Sequence, residues 1–161
     1  MVESGIKWYK MSSFTGTYYY TLDPKGRIII PSPLREVLFA NYGSSKIYIT
    51  NASFDKCLHI YPEVEWGLLE EKVKGKPMTD KALQYFMRRV FSAAVPCEMD
   101  KNGRVMVPYE LRQNAGIEND IVIVGLMDRL ELWDKQRWDD VTNPDKVDVE
   151  AFARKLSEYG I

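Results

Sequence analysis

The chain of 161 residues contains only two cysteines, Cys57 and Cys97, and a single histidine, His59. With no Cys-x-x-Cys pair, neither a disulfide framework nor a zinc site is expected. Two unpaired, reduced thiols fit a cytoplasmic protein. No stretch approaches the roughly 18 uninterrupted apolar residues of a membrane span. The opening MVESGIKWYKMSS lacks the apolar core and small-residue cleavage site of a secretory signal. Also missing are Gly-x-Ser-x-Gly, a phosphate-binding P-loop and Gly-x-Gly-x-x-Gly, so no cofactor, small-molecule substrate or enzymatic activity is expected. An excess of one charge is absent too: 22 Lys and Arg stand against 23 Asp and Glu, a formal net charge of -1. A nucleic-acid partner would therefore require the basic residues to gather on one surface.

What the chain does have is a repeat. DPKGRIIIPSPLRE (Asp23 to Glu36) lies over DKNGRVMVPYELRQ (Asp100 to Gln113) without a gap. Asp23 meets Asp100, Gly26 meets Gly103, Arg27 meets Arg104, Pro31 meets Pro108, and Leu34-Arg35 meet Leu111-Arg112. Upstream, Tyr18, Tyr20 and Leu22 alternate as Val95, Cys97 and Met99 do. Downstream, Lys46-Ile47-Tyr48-Ile49 matches Asp120-Ile121-Val122-Ile123, Leu58-His59-Ile60-Tyr61 matches Leu130-Glu131-Leu132-Trp133, and Trp66 matches Trp138. Order and residue type agree along both stretches, which indicates a duplication.

Each copy reads as a small β-rich unit. Alternating apolar residues run into Asp-x-x-Gly and apolar residues follow it, the pattern of a hairpin. Pro24 presets the first corner of DPKG, Gly26 takes a left-handed conformation, and Asn102-Gly103 serve the same purpose in DKNG. Pro31 and Pro108 end the second strand because they donate nothing to a ladder. Ser32 then reads as an N-cap with Pro33 at the first helical position, and the short helices close near Tyr42-Gly43 and Ala115-Gly116. Two further strands precede a Trp-bearing helical stretch. Between the units, Pro62 opens a helix with Trp66, Leu69 and Val73 on one face, and Gly75-Lys76-Pro77 breaks it. Thr79 caps a second helix striped with Leu83, Phe86, Met87, Val90 and Phe91. From about Val147 to Tyr159 the tail reads as an amphipathic helix. The expected division is an extension over 1–13, units over 14–66 and 94–141, a helical connector over 67–93 and a helical tail over 142–161. Residues 1–10 match nothing and read as a loosely ordered extension, with Met11 an alternative start.

Paired units place two Asp-x-x-Gly-Arg turns in related positions. The candidate DNA-contacting residues are Lys25 and Arg27 in the first turn and Lys101, Asn102 and Arg104 in the second, since paired hairpins enter a major groove. Against this, a single DPKG or DKNG is far more often only a turn, and Asp23 and Asp100 would mainly pin the arginine four residues on. Asp23, Gly26, Asp100 and Gly103 are accordingly read as turn-forming. Arg35 and Arg112 either flank the turns toward DNA or hold them through an acidic neighbour, the structural role being favoured.

From Phe14 to about Val141 the sequence resembles the MraZ family of bacterial transcription regulators. The match rests on Gly16-Thr17-Tyr18, on Asp23-x-x-x-Arg27 and Asp100-x-x-x-Arg104 with Pro31 and Pro108 after them, and on Tyr61-Pro62, Trp66 and Trp133-Asp134-Lys135. The resemblance implies an α+β fold in which the two halves form an AbrB-like swapped-hairpin β-barrel within one chain. It also implies ring-like homo-oligomers, a nucleoid location, and binding to direct repeats in the promoter of a cell-wall and cell-division gene cluster. The family's basic positions fall on Lys25, Arg27 and Arg104; Asn102 replaces the second lysine.

Two other readings compete. Cys57 and His59, two apart on one strand face, resemble part of a catalytic pair or metal site, but no third member is apparent. An antitoxin-like or scaffold module would use the tryptophans and helical stripes as partner surface. Those stripes read better as core or self-association surface, with Trp66 and Trp138 at equivalent places and Arg88 and Arg89 as exposed helix charges.

Overall fold

The computed structural model describes residues 13–161, so the expectations for the extension and for Met11 fall outside the described residues, save its last residue, Ser13. The first unit supplies β1 (Thr17–Thr21), β2 (Arg27–Ile29), α1 (Ser32–Tyr42), β3 (Lys46–Asn51) and β4 (Leu58–Pro62). The connector supplies α2 (Glu63–Val73) and α3 (Lys81–Phe86), which runs on as a π-helical turn over Met87–Phe91. The second unit repeats the series as β5 (Val95–Glu98), β6 (Arg104–Met106), α4 (Tyr109–Ala115), β7 (Asp120–Leu126) and β8 (Arg129–Asp134). Two helices follow, α5 (Lys135–Val141) and α6 (Val149–Ser157).

The fold class is α+β, and the two units interlock. Six antiparallel strands run in the order β1-β7-β8-β4-β3-β5, and β2 pairs with β6 in a separate ribbon. Thus β1 leaves its own unit to pair with β7, and β5 leaves the second to pair with β3. The seam between halves is β4 on β8, with Leu58 opposite Leu132, His59 opposite Glu131 and Ile60 opposite Leu130. This exchange of strands is the swapped arrangement. The six-stranded ladder itself is open, with β1 and β5 as its edges.

The strand exchange corrects the local hairpin expectation. The Asp-x-x-Gly-Arg segments are tight turns, but the strands they join find their partners in the other half. One buried cluster accounts for that choice, because Ile28, Ile30 and Leu34 of the first unit share it with Val105, Val107 and Leu111 of the second. Neither half covers this surface alone, and apolar area removed from water at about 25 cal/mol per Å² rewards the exchange.

Two caps differ from the sequence reading. Asp80, not Thr79, caps α3 through its side chain, accepting from the Leu83 N–H at 3.0 Å. Pro31 occupies the N-cap of α1, one residue before Ser32, and no side chain caps that helix. The C-terminal ends fall as expected, at Gly43 and Gly116, both left-handed.

Trp66 and Trp138 occupy equivalent seats: Trp66 lies 5.6 Å from Tyr61 at 57°, and Trp138 lies 5.8 Å from Trp133 at 60°. Arg88 is exposed, but Arg89 is half-buried and donates from Nε to the Ala52 carbonyl at 3.2 Å. Its own carbonyl accepts from Asn51, so Arg89 fastens the π turn to the end of β3 instead of standing free.

Candidate nucleic-acid interface

The two turns have nearly identical wiring. In the first, Asp23 Oδ1 accepts the backbone N–H groups of Lys25 at 2.9 Å and Arg27 at 2.8 Å, while Oδ2 accepts Arg27 Nε at 2.7 Å. In the second, Asp100 accepts from the N–H groups of Asn102 at 2.8 Å and Arg104 at 2.9 Å, and from Arg104 Nε at 2.9 Å. These bonds favour the ionised carboxylate, and both aspartates are held below the usual carboxylate range, chiefly by the backbone N–H of the arginine. The Nε contacts also orient the guanidinium planes, whose η nitrogens make no hydrogen bond among the described residues. Lys25, Lys101 and Asn102 project from the corners, exposed.

The ribbon sets the turns back to back. Arg27 stands opposite Met106, Ile28 opposite Val105 and Ile29 opposite Arg104. Strand alternation buries Ile28 and Val105, leaving Arg27, Ile29, Arg104 and Met106 on the outer face. That face carries two half-buried arginines and two exposed apolar side chains, related by the pseudo-twofold axis. Ile29 is 44% exposed and Met106 49%, unlike the buried apolar residues on either side of each. The period-two alternation in Ile28-Ile29-Ile30 and Val105-Met106-Val107 would have separated them.

Each turn is also gripped by the opposite unit. The Ile30 N–H donates to the Gly103 carbonyl at 2.8 Å, and the Val107 N–H to the Gly26 carbonyl at 3.1 Å. The arginines at the start of the short helices cross the same boundary. A Cβ on Gly26 (φ +80°) would lie 2.6 Å from Arg112 Cζ, and one on Gly103 (φ +79°) would lie 2.7 Å from Arg35 Cδ. Arg112 is fixed by donating from Nε to the Val107 carbonyl at 3.0 Å and by the Tyr109 ring, 5.4 Å from its Cζ. The acidic neighbour expected for these arginines is replaced by the glycine of the opposite turn. Glycine is thus needed there both for its backbone conformation and for the room its missing side chain leaves. Six cations, Lys25, Arg27, Arg35, Lys101, Arg104 and Arg112, therefore gather around the ribbon, against Asp23 and Asp100.

The Cys57–His59 pair has a third member after all, Glu131 from β8. Their ligand atoms lie within 4.8 Å of one another. The spacing suits a metal ion, but the carboxylate is already engaged. Glu131 accepts from Trp133 Nε1 at 2.8 Å and Arg129 at 3.2 Å, and it pairs with His59 Nε2 at 3.0 Å. A guanidinium beside the carboxylate opposes a dication. Burial alone would raise the Glu131 pKa, yet the bonds from His59 and Trp133 hold it down at about 2. Burial first, and Glu131 second, push the Cys57 thiol up, away from a nucleophilic thiolate. The cluster is a paired polar bridge across the seam.

A family model described as "MraZ protein, putative antitoxin-like" matches residues 13–89 and again 90–156. The chain belongs to the MraZ family. Among its relatives is a protein of Clostridium beijerinckii named transcriptional regulator MraZ, 40% identical over 92% of this chain and 99% of the relative. The same name is borne by relatives from Clostridium tetani, 43% identical over the same shares, and Acetivibrio thermocellus, 38% identical over them. The two matches meet between residues 89 and 90, so each takes in one of the interlocked sets of strands together with helices that follow it. No helix among the described residues is long and apolar enough to cross a membrane.

Proposed function

We propose that this protein is a sequence-specific DNA-binding transcriptional regulator that presents the β2–β6 ribbon and its two turns to a major groove. The observation that carries the reading is the outer face of that ribbon, where twofold-related Arg27 and Arg104 alternate with exposed Ile29 and Met106. A two-stranded ribbon fits the major groove, arginine forks reach guanine edges or phosphates, and apolar side chains meet thymine methyls. With each Nε held by an aspartate, the η nitrogens are pre-aimed outward. Lys25 and Lys101 contact flanking phosphates, and Asn102 reads an adenine edge or a phosphate.

The operator is a set of direct repeats in the promoter of a cell-wall and cell-division gene cluster, and the protein works at the nucleoid as a ring-like homo-oligomer. Repetition of a small basic patch around a ring answers the net charge of -1, because tethered copies bind spaced repeats by effective concentration. Each half contributes one turn, with working units at 14–66 and 94–141 joined by the 67–93 connector.

The test is a salt titration of binding to the repeats upstream of the protein's own gene, with shuffled DNA as control. Wild type should bind specifically, with affinity falling steeply with salt. Arg27→Ala/Arg104→Ala should abolish specific binding. Lys25→Ala/Lys101→Ala, which leaves the Asp–Arg wiring intact, should weaken binding to both DNAs and flatten the salt slope. Salt-independent or non-specific binding by folded wild type would instead favour a protein-interaction module.

A further inference from the structure

The two turns match, but the surfaces flanking them carry opposite charge. With Leu58 laid on Leu130, Lys56 corresponds to Asp128 and Glu65 to Arg137. In each half these two positions come together near the end of the short helix. At the end of α4, a Cβ on Gly116 would lie 3.3 Å from Arg137 Nε and 3.5 Å from Lys56 Cε. At the end of α1, Tyr42 donates its hydroxyl hydrogen bond to Glu65, which lines one groove with Asp128. Lys56 and Arg137 are exposed, and neither side chain makes an ion pair among the described residues. Asp134, three residues before Arg137, is taken up in capping α5, where it accepts the Arg137 backbone N–H at 3.2 Å. Two cations brought together without an acid repel each other. The negative end of a helix does not account for them, because α1 ends beside acids instead.

The basic pair is continuous with the ribbon. Arg112, whose guanidinium covers Gly26 of the first turn, lies four residues before Gly116, about 6 Å along the same face of α4. Tyr109, Arg112 and Gly116 line one open groove, in which the acid is Glu118. The ribbon by itself has no polarity of charge, since each turn offers one lysine and one arginine, Lys25 with Arg27 and Lys101 with Arg104. We infer that Lys56 and Arg137 hold DNA backbone phosphates on one side of the ribbon only, and so fix which way round the protein sits on its DNA. At the equivalent place on the other flank, Asp128 and Glu65 repel a phosphate. Phosphate contacts set register and orientation without reading bases, which is the part a near-symmetric ribbon lacks. The inference rests on the ribbon's DNA contact proposed above and gives it a direction, as the reading of direct repeats requires.

The test uses the full chain and a short duplex carrying one of the repeats upstream of its own gene, with shuffled DNA as control. Asp55→Cys in a Cys97→Ser background, where the remaining Cys57 is buried, carries an iron chelate that cuts DNA beside Lys56. Cutting should fall on one flank of the repeat. Adding Lys56→Gln/Arg137→Gln should spread it over both flanks, weaken binding roughly tenfold and lower the salt slope by about two. The thermal midpoint should stay in place, since both side chains are exposed. Lys56→Arg/Arg137→Lys, which keeps the charge, should keep the one-sided cutting. Cutting on both flanks with Lys56 and Arg137 present would overturn the inference and leave the ribbon's contact standing. So would an unchanged salt slope in the glutamine variant, or a fallen midpoint with binding intact. Wild type that binds the repeat no better than shuffled DNA would overturn the proposed function itself, and this inference with it.

Discussion

The two halves of this molecule match closely in their turns and diverge in their flanks. Asp23 and Asp100 make the same three bonds, yet Trp66 is 4% exposed under Phe91 and Tyr48 while Trp138 is only half-buried against Trp133. The first unit keeps its terminal helix and the second leaves it outward. Duplicated sequence therefore held its geometry where both copies face each other across the ribbon. It drifted where each copy meets different surroundings.

The tryptophans should show the largest difference. Trp66→Ala removes a buried ring and should cost about 3–5 kcal/mol in urea unfolding, and Trp138→Ala about 1–2 kcal/mol. Equal losses would mean that the seats are equally covered, as they would be if an assembly buries Trp138.

The seam tests whether the halves unfold as one. Glu131→Ala leaves His59, Arg129 and the Trp133 N–H without their partner and should cost about 3 kcal/mol. Because the folded Glu131 pKa of about 2 lies below its ordinary 4.5, its ionic contribution is present at neutral pH. It is retained down to about pH 4.5 and lost as the pH falls toward 2. Glu131→Gln should flatten that acid limb of the stability curve, and a second unfolding transition in either variant would show the halves separating.

Gly26→Ala and Gly103→Ala should each cost about 2 kcal/mol, from positive φ and from displacing the opposite arginine. Pairing Gly26→Ala with Arg112→Ala should restore part of the loss, and pairing it with Arg35→Ala should not. A double-mutant cycle measures this directly. The smallest effect belongs to the corner where Lys25 of one turn corresponds to Asn102 of the other. Asn102→Lys should steepen the salt dependence of DNA binding by about one counterion-release unit, and Lys25→Asn should lower it by as much.

Much of this architecture was legible in the residues. The double Asp-x-x-Gly-Arg, the glycines closing the short helices and the paired tryptophans are local or repeated signals, and local chemistry settles them. Thr79 reads as the cap of α3, but the neighbouring Asp80 suits the role as well, and only the position of the helix start decides between them. Arg89 read as exposed because its partner carbonyl, Ala52, lies 37 residues away. The likeness of Ile29 and Met106 to their buried neighbours hid half of the ribbon's outer face.

The sequence alone therefore determined the turns and the glycine-closed ends of the short helices, since each depends on contacts within a few residues, and its repeat determined the twofold plan. Which strand pairs with which, which arginine covers which glycine, and which carboxylate completes the Cys57–His59 cluster were decided only by the tertiary structure. Those choices join residues dozens of positions apart, and what selects them is the shared core that forms once the two halves exchange strands.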